Sequence, residues 1–440
     1  MRYETVELEI DVSELRVGMY VVRLDCNWED TDFLFQGFII QSRDEIDALQ
    51  TQCRMVVIEG KVKRELDELP QAPLDKPDTA YFQQFSTDLG KADATKKPEK
   101  KSDPNIQRTA RRITYINKVN VNTEIRIAKN HYAEAKSVVA GIMAGLRIGR
   151  ALDINRAREV VNNCVDSILR NNDALLLLTK LKHKDEYTAE HSLNVSILSA
   201  AFGKRLGLME EEIRTLGLCG LLHDIGKTKV PLEILQKSGE LTPQEYSIMQ
   251  NHANWGRDML MSLPKVVHTT IDVAYNHHER PDGRGYPRGL VDYQIPYNAK
   301  IVAIADAYDA ITSNRVYDKG RSSMNALEII HRLRGTQFDS ELALEFILMI
   351  GIYPPGSIVE LKTGEIAIVL ASNPKNRRKP RIMLVRTADK KRISKYAMLD
   401  LDLHPKTDGG ELFAISKELP DGTFGVLIQR FIENGLVLGY

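Results

Sequence analysis

From about Ile113 to Ile352, apolar residues recur at the spacing of amphipathic helices, broken only around 280 to 297 and 313 to 322. Such a run predicts an all-helical domain, here residues 111–352. The flanks read differently. Residues 1–68 alternate as short strands at Val6 to Ile10, Tyr20 to Leu24, Phe38 to Ile40 and Val56 to Glu59, with one helix at Ser42 to Cys53 and turns at Gly18, Gly37 and Gly60. They predict a small α+β module. Residues 69–110, with LPQAPLDKPD and KKPEKKSDP, offer little to bury and predict a flexible linker. From Tyr353 onward β signals return at Ser357 to Lys362, Glu365 to Leu370, Arg381 to Arg386 and Gly425 to Leu427. The chain therefore reads as multidomain: an N-terminal α+β module, a helical domain, and a small β-rich module over 353–440.

A length of 440 residues predicts several cores, roughly three at about 150 residues each. Sixty Lys plus Arg balance sixty Asp plus Glu, so there is no overall positive field to hold long nucleic acid. A small charged substrate in a local site fits better. Cys26, Cys53, Cys164 and Cys219 are scattered with no Cys-x-x-Cys pair, which points away from a disulfide framework or zinc ribbon and toward a reducing, cytoplasmic setting. No stretch approaches the roughly 18 apolar residues of a membrane span, and the N-terminus lacks the apolar segment of a signal peptide.

The candidate chemistry lies in the helical stretch. His223 and Asp224 follow a periodic segment with Ile213, Leu216 and Gly220, and Gly226 stands where a helix stops. Adjacent positions diverge by about 100° on a helix, so the His could hold one ion while the Asp bridges two. A solvent-facing polar pair is the plainer alternative. His191 shares a face with Val195, Leu198 and Phe202 on a helix expected to open with Thr188 as N-cap. His252 follows a capping box from Thr242 to Glu245, with Pro243 at the first helical position and Tyr246 and Met249 on its own face. Each of these two histidines, taken alone, fits a core position as well as a ligand. Asp306 sits within Ile301-Val302-Ala303-Ile304-Ala305, where an ionised carboxylate requires a strong partner. A metal ion or a salt bridge to Lys227 or Arg315 would serve. His277 and His278 end a helix expected over Val266 to Asn276, and two ions some 3.5–4 Å apart would accept their lone pairs. His131, His183, His268, His331 and His404 have no such context.

Tyr187-Thr188-x-x-His191-Ser192, His223-Asp224-Ile225-Gly226-Lys227, His252, the block from His277 to Leu290 with Gly285-Tyr286-Pro287, and Ile304-Ala305-Asp306-x-Tyr308-Asp309-Ala310 resemble, in that order, the HD-GYP family of cyclic di-GMP phosphodiesterases. The resemblance covers residues 140 to 350. It implies two divalent ions, iron or manganese, held by His191, His223, Asp224, His252, His277, His278 and Asp306, with Asp224 bridging. It also implies a bridging hydroxide as attacking group and Lys227 on the scissile phosphate. Some family members take a third ion through a Glu four residues before the first His, where this chain has Tyr187, so two ions are expected. Asp185 and Asp309 are candidates to orient Lys227. Arg284 and Arg315 are candidates for phosphate or guanine, since a planar guanidinium suits both. Lys319 is a further candidate, displaced by one position from the basic residue that family members often carry.

The activity so implied is cleavage of cyclic di-GMP to pGpG and on to GMP in bacterial second-messenger signalling. A diguanylate cyclase (GGDEF) partner would meet the GYP loop. A silent cyclic di-GMP sensor and an HD hydrolase for another nucleotide are the alternatives. Leu15-x-x-Gly18-Met19-Tyr20-Val21, with Trp28, Phe33 and Gly37, resembles an uncharacterised domain that commonly precedes HD-GYP domains. For that module, homodimerisation and ligand sensing are both open.

Overall fold

The computed structural model describes residues 2–25, 38–40, 43–64, 112–180, 187–237, 239–264, 266–313, 321–373, 376, 378–433 and 436. The expected linker, Trp28, Phe33, Asp185, Arg315 and Lys319 lie outside them. The chain divides into two units, Met1–Arg108 and Thr109–Tyr440.

In the first unit, β1 (Arg2–Asp11), β2 (Tyr20–Leu24), β3 (Phe38–Ile39) and β4 (Met55–Arg64) form an antiparallel sheet in the order β1-β4-β2-β3. Helix α1 (Arg43–Gln52) contributes Leu49 to a core with Val12, Leu15, Val21, Ile40, Val56 and Ile58. The Asp25 carboxylate accepts from the backbone N–H groups of Arg54 and Met55, tying the end of β2 to the start of β4.

The second unit starts with α2 (Val121–Arg147), α3 (Ile154–Arg170), α4 (Asn172–Leu178), α5 (Tyr187–Arg205) and α6 (Glu210–Leu222). Short helices α7 (Leu232–Leu235), α8 (Pro243–Gln250), α9 (His252–Met261) and α10 (His268–Asn276) follow. Helices α11 (Tyr297–Thr312), α12 (Ser323–Arg332) and α13 (Ser340–Ile350) complete the bundle. On α2 the buried positions Ala128, Tyr132, Ala135, Val139 and Met143 fall on one face, as the period predicts. Helix α5 is buried from Ala189 to Lys204 and forms the centre. Gly220 of α6 lets that helix press on α5: a Cβ there would lie 2.7 Å from the Val195 carbonyl oxygen. This approach brings the C-terminal end of α6 beside His191.

Strands β5 (Ile358–Leu361), β6 (Ile366–Ala371), β7 (Arg381–Arg386), β8 (Arg392–Asp400) and β9 (Ile415–Leu419) make an antiparallel sheet in the order β8-β7-β6-β5-β9, and α14 (Ile428–Glu433) follows. One face of this sheet, with Ile358, Ile366, Ile368 and Met383, joins the helical core. The other, with Val359, Leu361, Val369 and Ile382, packs on Tyr353, Leu399 and Phe413. Strand β6 is therefore apolar on both sides.

Several expectations need correction. Gly425 to Leu427 is no strand: a 3-10 turn covers Thr423–Gly425. The partners that complete the sheet are β8 and β9, whose outward residues hide the apolar signal. Helix α5 already includes Tyr187, so Thr188 lies within it and is not its N-cap. The capping box at Thr242 and Glu245 is present, but α8 stops at Gln250, and His252 opens the separate helix α9.

Candidate metal centre

The seven histidines and aspartates singled out above converge on one place. One ligand atom from each of Asp224, His252, His277 and His278 lies within 4.8 Å of the others, and the same holds for His191, His223 and Asp306. Asp224 stands between the two groups. Its Oδ1 is 3.3 Å from His252 Nε2 and 3.6 Å from His277 Nε2, while its Oδ2 is 3.2 Å from His223 Nε2 and 3.7 Å from His191 Nε2. Asp306 Oδ1 lies 3.1 Å from His191 Nε2 and 3.8 Å from His223 Nε2.

Local structure explains the arrangement. His223 caps the end of α6, and the chain then turns through a 3-10 segment, Ile225–Lys229. That turn meets the start of α9 so closely that a Cβ on Gly226 would sit 1.9 Å from the His252 carbonyl oxygen. Only glycine permits the contact. It sets Asp224 and His252 side by side. The Nδ1 atoms of His223 and His252 lie 2.8 and 2.7 Å from the carbonyl oxygens of Gly220 and Met249, and that of His277 is 3.1 Å from the Val273 carbonyl. An Nδ1 facing a carbonyl carries the proton, so the Nε2 atoms of His252 and His277 turn lone pairs inward, while that of His223 faces the Asp224 carboxylate. His191 differs: its Nδ1 is 2.8 Å from Asp309 Oδ2.

These donors fit a cation. His223 Nε2 and Asp224 Oδ1 are buried without a hydrogen-bond partner, and His252 Nε2 faces His277 Nε2 at 3.4 Å. Lone pairs so arranged repel unless positive charge stands among them. Burial holds the His252 imidazole down to about 3 and drives His278 well below the usual range. Burial also opposes charge on His223, but Asp224 and then Asp306 outweigh it and lift that ring to about 10. Both carboxylates are held well below the usual range; burial is outweighed at Asp224 by His223 and Lys227, and at Asp306 by His191 and His223. Mixed imidazole and carboxylate donors suit divalent first-row metals.

Lys227 places its Nζ 2.5 Å from Asp224 Oδ2, with its side chain 25 % exposed. With the partly exposed Asp306 and His278 it lines the open side of the cluster. One alternative and one candidate contact are replaced. Among the described residues Lys227 pairs with Asp224, so neither a salt bridge from Lys227 to Asp306 nor orientation of Lys227 by Asp309 is present. Asp309 instead accepts from Asn194 and Ser313 while bracing His191. Arg284 is exposed on the GYP loop, its backbone N–H donating to Asp282.

Sequence reasoning missed Glu279. Its buried carboxylate accepts from the backbone N–H groups of Arg288 and Leu290 at 2.6 and 2.7 Å, folding the GYP loop back so that the Tyr286 ring stacks on His278 with centroids 4.6 Å apart. An acidic residue directly after paired histidines was the available signal. A cavity of about 140 Å³ is lined by Asp309 with Lys180, Tyr308, Arg321, Ser357 and Glu418 among others.

Residues 172–342 match the HD domain family, and residues 7–157 match a domain of unknown function, DUF3391. A Pseudomonas aeruginosa protein named cyclic di-GMP phosphodiesterase is 35 % identical over 402 residues, covering 91 % of this chain and 90 % of that protein. The chain belongs to the HD-GYP family of HD-domain phosphodiesterases. Over shorter spans the relatives differ in name. The cyclic di-GMP phosphodiesterase response regulator RpfG of Xanthomonas campestris is 35 % identical over 43 % of this chain and 50 % of its own length. A 3'3'-cGAMP-specific phosphodiesterase of Vibrio cholerae is 40 % identical over 37 % of this chain and 36 % of its own length. Among the described residues no helix is long and apolar enough to cross a membrane.

Proposed function

We propose that this chain hydrolyses cyclic di-GMP to pGpG and on to GMP at a two-ion centre, as part of bacterial second-messenger signalling in the cytoplasm. The observation that carries the reading is the Asp224 carboxylate, with one oxygen toward each group of histidines. His191, His223 and Asp306 would hold one ion, His252, His277 and His278 the other, and Asp224 both. Bound there, two divalent ions supply Lewis acidity, lowering the pKa of water and neutralising charge on the scissile phosphate.

The chain's own groups perform the rest. Backbone carbonyls behind His223, His252 and His277 fix the ring tautomers before substrate arrives. Lys227, at the open side, would exchange part of its contact with Asp224 for a non-bridging phosphate oxygen and offset charge gained in the transition state. Tyr286 covers one face of the His278 ring. Exposed Arg284 is the described candidate for a guanine or phosphate contact, with Arg315 and Lys319 as further candidates outside the described residues. The helical domain would carry the catalysis and the N-terminal module its control. Val291 and Tyr293, exposed beside the GYP loop, would offer a surface to a cyclase partner.

Full-length similarity to a protein named for cyclic di-GMP favours that substrate, and the 3'3'-cGAMP-specific relative makes the mixed dinucleotide the second reading. Both are tested side by side with Mn²⁺ or Fe²⁺ under reducing conditions, against an Asp224→Ala variant. The expected result is pGpG followed by GMP from cyclic di-GMP, absent in the variant. Binding of cyclic di-GMP without cleavage would make the chain a sensor, and turnover of 3'3'-cGAMP alone would reassign the substrate.

A further inference from the structure

Helix α2 belongs by sequence to the stretch matching the domain of unknown function, which ends at residue 157, yet it packs within the helical unit. Its Tyr132 is buried against α5 and donates its hydroxyl proton to Asn194 Oδ1 at 2.8 Å. Asn194 Nδ2 in turn donates to Asp309 Oδ1 at 3.1 Å, and Asp309 Oδ2 takes the Nδ1 proton of His191 at 2.8 Å. The direction of the chain is fixed. A carboxylate only accepts, so the Asn194 amide must turn its NH₂ toward Asp309, which leaves its carbonyl for the tyrosine hydroxyl. One turn earlier on α2's neighbour, Glu190 next to His191 meets Lys136 of α2 at 3.4 Å. Helix α2 thus grips the His191 turn on both sides.

We propose that Tyr132 and Asn194 are positioning residues, through which α2 sets the orientation and basicity of His191 and so the ion affinity of the His191, His223 and Asp306 group. This inference rests on the two-ion reading above. It differs from a packing role because replacing the hydroxyl alone, in Tyr132→Phe, retains the ring in the core while releasing the Asn194 amide. Asp309 then loses a fixed donor, and His191 loses its rigid brace. Partners behind a ligating histidine typically change metal affinity by about 10–100-fold.

The test is a competition titration of metal-free, full-length protein with Mn²⁺ and a chromophoric chelator. Tyr132→Phe should weaken one of the two ions by about tenfold and leave the other unchanged. Added to Asp309→Asn it should cost nothing more, because the effect passes through Asp309. Full affinity for both ions in Tyr132→Phe, or an equal loss with Asp309 already replaced, would overturn the proposal. A second readout does not need the ions: in ¹⁵N-histidine-labelled metal-free protein, Tyr132→Phe should move the His191 Nδ1 resonance and leave that of His252 in place. An unmoved His191 refutes the relay. A His191 that moves in a protein binding no ion retains the relay and removes the two-ion reading instead.

Discussion

His252 and His277 are held from behind by carbonyl oxygens at helix ends, whereas His191 is held by a side-chain carboxylate, Asp309, that itself leans on α2 through Asn194. The first kind of support is part of the main chain and moves only if a helix moves. The second depends on side chains from three helices. The halves also differ in charge. Burial keeps His252 and His278 neutral, while Asp224 and Asp306 together draw a proton onto His223. One half is a preformed set of lone pairs, and the other is an anionic pocket in which a proton and a metal ion compete.

The largest effect is expected where the halves meet. Asp224→Ala removes an oxygen from both groups, and loss on the order of 10³-fold in kcat is expected, the upper range for a single preorganised electrostatic group. Metal analysis of the purified variant checks it: two retained ions with full turnover would deny Asp224 its shared place. Gly226→Ala attacks the main-chain support. The added methyl would overlap the His252 carbonyl, and a destabilisation of roughly 1–3 kcal/mol is expected from the overpacking. Thermal unfolding and affinity at the His252 half report it; unchanged values for both would mean the turn is not closely packed.

Asp309→Asn probes the other support. It should weaken the ion at the His191 half by about 10–100-fold and leave the fold intact, so chelator competition should show one altered ion in place of two. The smallest effect is in protons. His223, lifted to about 10, is protonated in the metal-free protein at neutral pH, so metal binding at its half must release that proton and strengthen as pH rises toward 10. His252, held down to about 3, has none to release in that range. Calorimetry in buffers of different ionisation enthalpy should find proton release for one ion only, and equal release for both would erase the contrast.

Much of the centre was legible because its residues come in compact clusters. His223 with Asp224, and His277 with His278, are neighbours in the chain, and Asp306 follows an unbroken apolar run from Ile301 to Ala305. What stands behind them was not legible. Asp309 was a candidate to orient Lys227, but in the fold its carboxylate lies 2.8 Å from His191 Nδ1 of α5. Glu279 reads as a helix-end acid until the loop returns two backbone N–H groups to it. Strands β8 and β9 escaped notice because edge strands expose residues that carry no apolar alternation.

Periodicity and composition by themselves determined the succession of a small sheet module, a helical domain and a β-rich end, since the period of apolar residues selects the local structure that can bury them. The ordered motifs, through their resemblance to the HD-GYP pattern, marked which side chains could carry the chemistry. Tertiary structure alone decided which nitrogen of His191, His223, His252 and His277 faces inward, which oxygen of Asp224 faces which group, and that α2 braces His191. Those outcomes depend on contacts between residues far apart in the chain, where directional hydrogen bonds and close backbone approach at Gly220 and Gly226 leave one geometry open.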